Sequence, residues 1–209
     1  MFSAVVFTAG RAGSHLIVDN LVQYHNSKKR QWWDDSFQHG VVHSHNPLYH
    51  PPTSQFIGIV NTRRDEFSAM ISMLLTRRTN EFTYYSNKNI IPFEIPKQEF
   101  RDVYHYFKCF YKSINLDAFK EIVEIEYESL INDPTYLFSK FGIRHNTVYN
   151  LKKSPYDYTK LVTNLDDIKK VYTKLIKTDI SQEQVENFKI SIVSDLEDIR
   201  LNHNGNRNA

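Results

Sequence analysis

Apolar residues follow two rhythms along this chain, one suited to buried strands and one to amphipathic helices. SAVVFT (3–8) is a short, nearly continuous apolar run, as expected of a strand buried on both faces. A turn holding Gly10 and Gly13 follows, then SHLIVDNLVQYH (14–25), where Leu16, Ile17, Leu21 and Tyr24 fall near one helical face. NSKKRQWWDDSFQ (26–38) is polar and reads as a loop. GVVHSH (40–45) and QFIGIVNT (55–62) repeat the strand pattern, with HPPTS (50–54) as a turn between them. RDEFSAMISMLLTRR (64–78) places Phe67, Met70, Ile71, Leu74 and Leu75 at i, i+3, i+4, i+7 and i+8, a helical stripe. KQEFRDVYHYFKCFYKSI (97–114) is helical in the same sense, and FKEIVEIEY (119–127) alternates as a fourth strand. Asp133-Pro134 predicts a helix start, with Asp as cap and Pro at the first position. Residues 166–178 form a charged amphipathic segment, and Ser181 with Gln184 forms a capping box for a last helix to about 201.

Strands alternating with helices predict an α/β fold, a mainly parallel central sheet covered on both faces. No internal repeat or long linker divides the chain, so a single domain over 1–201 is expected, with 202–209 as a flexible tail. Ligands of such sheets sit beyond the carboxyl ends of the strands. Three predicted strands end there in Thr8 before the glycine turn, in His45, and in Arg63-Arg64.

Composition narrows the classes. Hydrophobic residues make up 41% of the 209 and charged residues 24%, an ordinary globular balance. A net charge of +2 argues for no nucleic-acid partner. The single Cys109 excludes an internal disulfide and reads as a buried thiol. No apolar run approaches the roughly 18 residues that span a bilayer, and no basic-then-apolar leader opens the chain. A cytoplasmic protein without membrane insertion is the expectation.

Chemistry enters at VVFTAGRAGSH (5–15). A glycine turn between a strand and a helix start presents free backbone N–H groups, which with the helix dipole favour an anion. Ser14 adds a hydroxyl and Arg11 a bidentate cation. A nucleotide-triphosphatase loop needs GxxxxGK[ST]; GRAGSH has neither that spacing nor the Lys. An ordinary strand–helix turn is the plain alternative.

TAGRAGSHL resembles the 5′-phosphosulfate loop of the sulfotransferases, where Lys or Arg is followed by a small residue, Gly, then Ser or Thr. Two further stretches resemble that family in order. RRDEFSAMIS (63–72) carries Arg64 and, eight residues on, Ser72, the family's 3′-phosphate pair. EIVEIEYESLINDPTYLFSKFGI (121–143) carries Tyr127 where the family contacts adenine. By strand alternation Arg63 is expected to point the other way.

The resemblance implies a three-layer α/β sandwich of P-loop NTPase-like type. It implies transfer of a sulfuryl group from 3′-phosphoadenosine 5′-phosphosulfate (PAPS) to a hydroxyl or amine, with 3′,5′-adenosine bisphosphate as product and no metal. The acceptor would be a small molecule, glycan or peptide. Arg11, Ala12, Gly13, Ser14 and His15 would cradle the 5′ end, with Arg11 stabilising the leaving phosphate. VVHSHNPL (41–48) is similar to the family's basic–Ser/Thr–His segment. His45 takes the place of the base there, with His43 as a possible helper. Asp34 and Asp35 are alternative bases. Leu16 stands where many members carry an adenine-stacking Trp; Trp32 or Trp33 are candidate replacements. Lys152 or Lys153 would complete the 3′-phosphate site in place of the family's Arg-Lys-Gly, and Phe82, Tyr84, Tyr85 and Phe93 would wall the acceptor pocket. The competing readings are a P-loop-like kinase and a non-catalytic nucleotide-binding protein of the same fold.

Overall fold

The computed structural model describes residues 2–10, 13–31, 39–79, 91–148 and 157–205. Strand β1 (Ser3–Phe7) is followed by α1 (Ser14–Tyr24), β2 (Lys29–Gln31), β3 (Gly40–Ser44) and β4 (Ile57–Thr62). Helices α2 (Glu66–Thr79) and α3 (Lys97–Lys112) precede β5 (Glu121–Glu126). Five helical segments close the chain: α4 (Tyr127–Asn132), α5 (Tyr136–Ser139), α6 (Tyr158–Leu161), α7 (Leu165–Leu175) and α8 (Gln182–Gly205).

The five strands form one all-parallel sheet in the order β2-β3-β1-β4-β5. β1 is central and completely buried, because both of its faces are covered. Val5 and Phe7 face one core, shared with Met70, Ile71 and Leu74 of α2, with Phe100 and Phe107 of α3, and with α7 and α8. Ala4 and Val6 face the other, shared with Ile17 and Leu21 of α1, Leu130 of α4 and Phe138 of α5. This is the expected α/β arrangement of three layers.

The topology also positions a crevice. α1 leaves β1 on one face of the sheet, whereas α2 leaves the neighbouring β4 on the opposite face. Connections that diverge in this way open a gap beyond the carboxyl ends of the two strands. Among the described residues no helix is long and apolar enough to cross a membrane.

Several elements differ from the pattern reading. The polar stretch after α1 holds an edge strand, β2, paired to β3 through Lys29↔Val41 and Gln31↔His43. Tyr127 does not end β5 but opens α4, and the helical segment expected from Asp133-Pro134 is the four-residue α5. The capping box of α8 is formed in both directions. Ser181 N–H donates to Gln184 Oε1 at 2.9 Å, and Gln184 N–H donates to Ser181 Oγ at 3.2 Å. α8 then runs through Gly205, past the expected end near 201.

Candidate functional site at the strand ends

Four strands deliver polar side chains to one edge of the sheet. The β1 end is shaped by hydrogen bonds that continue the ladder past its last residue. Thr8 N–H donates to the Ser44 carbonyl at 3.2 Å, and Gly10 N–H donates to Thr8 Oγ1 at 3.1 Å. Gly13 then opens α1 with φ +72° and provides no side-chain cap. The Gly13 carbonyl accepts from the Leu16 and Ile17 N–H groups at 2.9 and 3.4 Å, so within the first turn only the N–H groups at positions 14 and 15 precede the helical ladder. A side chain at position 13 is excluded twice. The left-handed φ disfavours a Cβ, and that Cβ would lie 2.7 Å from Cδ2 and 2.8 Å from Cε2 of Tyr127. The residue expected at the adenine therefore rests against the loop expected at the 5′-phosphate.

The β3 end supplies the imidazoles. His43, inside the strand, is buried, and its Nε2 is 2.9 Å from Ser14 Oγ. Its ring meets those of His15 and His45 edge-on, with centroids 4.7 and 4.6 Å apart. Burial is the main cause that pushes the His43 pKa down to about 2, and the neighbouring His45, His15 and Lys29 add to it. His45 lies just past the strand. Its Nδ1 is 3.0 Å from the Thr8 carbonyl, and a carbonyl only accepts, so the hydrogen is on Nδ1. Nε2 is then the lone-pair nitrogen. The His45 ring is solvent-accessible yet sits among protein atoms, and this desolvation lowers its pKa despite the bond to Thr8. The imidazole is neutral near pH 7 and in the tautomer of a base. A turn behind it is pinned by Ser44 Oγ, which donates to the Asn46 carbonyl at 2.9 Å.

The β4 and β5 ends are charged. Arg63 and Arg64 follow β4, and both turn toward the β5–α4 junction. The alternation expected of a strand stops at Thr62 and does not separate them. The Arg63 guanidinium lies 5.0 Å from the centre of the Tyr127 ring, with Nε 3.7 Å from Glu128 Oε1. Arg64, well exposed, forms a two-pronged pair with Glu126 at 2.5 and 3.3 Å. Glu128 accepts from the backbone N–H groups of Arg64 and Asp65 at 2.9 and 3.2 Å, and Asp65 caps Ser68 N–H at 3.0 Å. Carboxylates thus fill the start of α2, where the helix dipole favours negative charge.

Of the sequence-derived site residues, Gly13, Ser14, His15, His45 and Tyr127 come together around the β1–α1 turn and the end of β3. Arg64 stands across the crevice with Glu126. Ser72 lies further along α2, half-buried, its carbonyl accepting from Thr76 Oγ1 at 2.7 Å. Phe93 is half-buried, packed on the core beside the Arg78 guanidinium, with its backbone paired to Leu161 and Thr163. Arg11, Ala12, Trp32, Trp33, Asp34, Asp35, Phe82, Tyr84, Tyr85, Lys152 and Lys153 lie outside the described residues. Glu126 and Glu128 as partners of the two arginines were not anticipated from the sequence. The EIEYE run that carries them reads as ordinary strand alternation.

Two open depressions lie elsewhere, one of about 460 Å³ between α3 and α8 and one of about 680 Å³ beside α5. Neither touches the strand-end residues. The first is lined in part by Tyr106, Cys109 and Phe188, and Cys109 is a buried thiol whose pKa burial raises. The strand-end residues are distinguished from both depressions by their converging polar groups. Among the described residues no His, Cys, Asp and Glu group is arranged to hold a metal. Comparison of this chain with family models, curated proteins and solved structures returns no match.

Proposed function

We propose that this chain is a sulfotransferase on a P-loop NTPase-like fold, moving a sulfuryl group from PAPS to a hydroxyl or amine acceptor. The observation that carries the reading is the seat of Tyr127 against Gly13. It joins the adenine-side and phosphate-side residues of the resemblance in one contact, beside a histidine in the tautomer of a base.

In this reading the turn from Arg11 to His15 holds the 5′ end of the donor through backbone N–H groups and the Ser14 hydroxyl. His45 Nε2 takes the acceptor proton as the acceptor oxygen bonds to sulfur. The bond from sulfur to the bridging oxygen breaks, and the electron pair leaves on the 5′-phosphate, where Arg11 meets the new charge. Arg64, Ser72 and Lys153 are assigned to the 3′-phosphate, and Tyr127 to the adenine. The reaction requires no metal.

One observation favours a second reading. Glu126 and Glu128 place negative charge beside the arginines meant for the 3′-phosphate. A nucleotide lacking that phosphate, as in a P-loop-like kinase, would avoid the repulsion. Calorimetric titration with 3′,5′-adenosine bisphosphate and with ADP, on wild type and Arg64→Ala, separates the two. Tight bisphosphate binding, weak ADP binding and loss in the variant are expected. Equal binding of both nucleotides, or of neither, overturns the sulfotransferase reading.

A further inference from the structure

His43 is buried against Ser14, and the transfer chemistry above, which uses the Ser14 hydroxyl, leaves His43 without a task. Ser14 heads α1 at 5% exposure, His43 lies inside β3 at 4%, and Oγ and Nε2 are 2.9 Å apart. Each partner satisfies the other where water cannot. A neutral imidazole has one N–H and one lone pair, so the direction of this bond decides what Ser14 can offer its loop. With a bare Nε2, Ser14 spends its only hydrogen on His43 and shows the loop lone pairs, which repel an anion. With hydrogen on Nε2, Ser14 accepts from His43 and keeps its own O–H for a ligand. Burial holds the ring neutral, so it acts as a dipole and not as a cation.

We propose that His43 is a positioning residue that carries its hydrogen on Nε2, donates it to Ser14 Oγ, and so fixes the Ser14 hydroxyl as a donor to the anion held by the β1–α1 turn. The proposal rests on the anion-loop part of the proposed function. Hydrogen bonds running in one direction, from Nε2–H through Oγ–H to an anionic oxygen, polarise one another. The arrangement supplies a directed neutral donor in a loop, GRAGSH, that has no Lys after its second glycine. The neighbouring His45 is set the opposite way, with hydrogen on Nδ1 because the Thr8 carbonyl can only accept. Two touching histidines of one strand end therefore hold opposite tautomers, one arranging a donor and the other free to take a proton.

Long-range proton–nitrogen NMR of the imidazoles tests this on the full chain, free and saturated with pyrophosphate. The hydrogen is expected on Nε2 of His43 and on Nδ1 of His45 in both states. A bare Nε2 on His43 overturns the proposal, as does failure of the wild type to bind pyrophosphate. A second arm measures pyrophosphate affinity in Ser14→Ala, His43→Leu and the double variant. Each single change is expected to weaken binding about two- to tenfold, the worth of one neutral hydrogen bond, and the double variant no further. His43→Gln, whose amide N–H can replace Nε2–H, should restore most of the loss. Independent losses that multiply, or no rescue by Gln, would make His43 merely structural. The spectrum of the free, unsubstituted protein decides the tautomer even if a variant folds poorly. Binding of pyrophosphate without 3′,5′-adenosine bisphosphate overturns the donor assigned under the proposed function and leaves this proposal supported.

Discussion

The two halves of the strand-end crevice are built on different physics. The half from β1 and β3 is neutral, hydrogen-bonded and, apart from the solvent-accessible His45, largely buried: Ser14 to His43, His45 to the Thr8 carbonyl, Gly13 under Tyr127. The half from β4 and β5 is exposed and charged, with Arg64 on Glu126 and Glu128 across the start of α2. Fixed dipoles in a dry setting need no rearrangement to meet a developing charge. Exposed ion pairs must trade one partner for another and are weakened by salt. In the proposed reaction the first half would hold the reacting atoms and the second would serve as an adjustable anchor.

The sharpest way to break this division is to remove the proposed base. His45→Ala should cut turnover by ~10²–10⁴-fold while bisphosphate affinity holds, as read by single-turnover kinetics beside calorimetry. In the wild type the rate should fall as pH drops through the lowered pKa of His45, because the neutral form is the active one. The midpoint of that limb is expected below the ordinary 6.5. A midpoint at or above 6.5 would separate His45 from the chemistry.

Next in size is an acid effect on stability. The folded pKa of His43 is about 2 against an ordinary 6.5. Between those values the unfolded chain binds the extra proton, so stability is full above 6.5 and is lost as pH falls, at up to about 1.4 kcal/mol per pH unit. Denaturant unfolding at successive pH values should show that slope in the wild type, and His43→Leu should reduce it. An unchanged slope in the variant would mean that the buried half does not hold a neutral His43.

Gly13→Ala should cost roughly 1–2 kcal/mol of stability from the left-handed backbone alone, with a further cost from moving Tyr127. Combining it with Tyr127→Ala should remove the second part and leave the first. Strictly additive losses in unfolding experiments would deny the Gly13–Tyr127 contact. The smallest effect belongs to the charged half. Glu126→Gln frees Arg64 and should raise bisphosphate affinity by about two- to fivefold at low ionic strength, fading with added salt. A gain that salt leaves untouched would show that the two halves do not differ as described.

Much of the frame was legible because burial leaves a period in the sequence. β1, β3, β4 and β5 and helices α1, α2 and α3 announce themselves by their apolar spacing, and α8 by its capping box. β2 was missed because Lys29, Arg30 and Gln31 carry no apolar signal, and their strand character comes from backbone pairing to β3. Lysine on an edge strand discourages unwanted pairing, so the residues that hide β2 from a pattern search also suit its place. α4 was missed because one short helical segment directly after a strand has no period of its own. In the site, glycine spacing and strand ends pointed to the loop and to His45. The tautomer of His45 depends on a carbonyl 37 positions away, and the bond that holds Arg64 N–H ahead of α2 depends on a carboxylate 64 positions away. Neither bond follows from residue type. Strand alternation misplaced Arg63, because it was carried one residue past the end of β4.

The order in which the sheet is threaded has a consequence for how the protein comes into being. Each strand of the crevice is separated from its neighbour by a crossover, so no short contiguous fragment contains it. During synthesis the loop, the imidazoles and the arginines emerge well before β5. Until β5 and the start of α4 follow, Glu128 cannot hold the backbone that leads into α2 and Tyr127 cannot close on Gly13. Long-range parallel pairing of this kind is slow to nucleate. A nascent chain stalled before residue 121 therefore carries nearly every candidate catalytic group without a site, and ligand binding becomes a direct readout of completed folding.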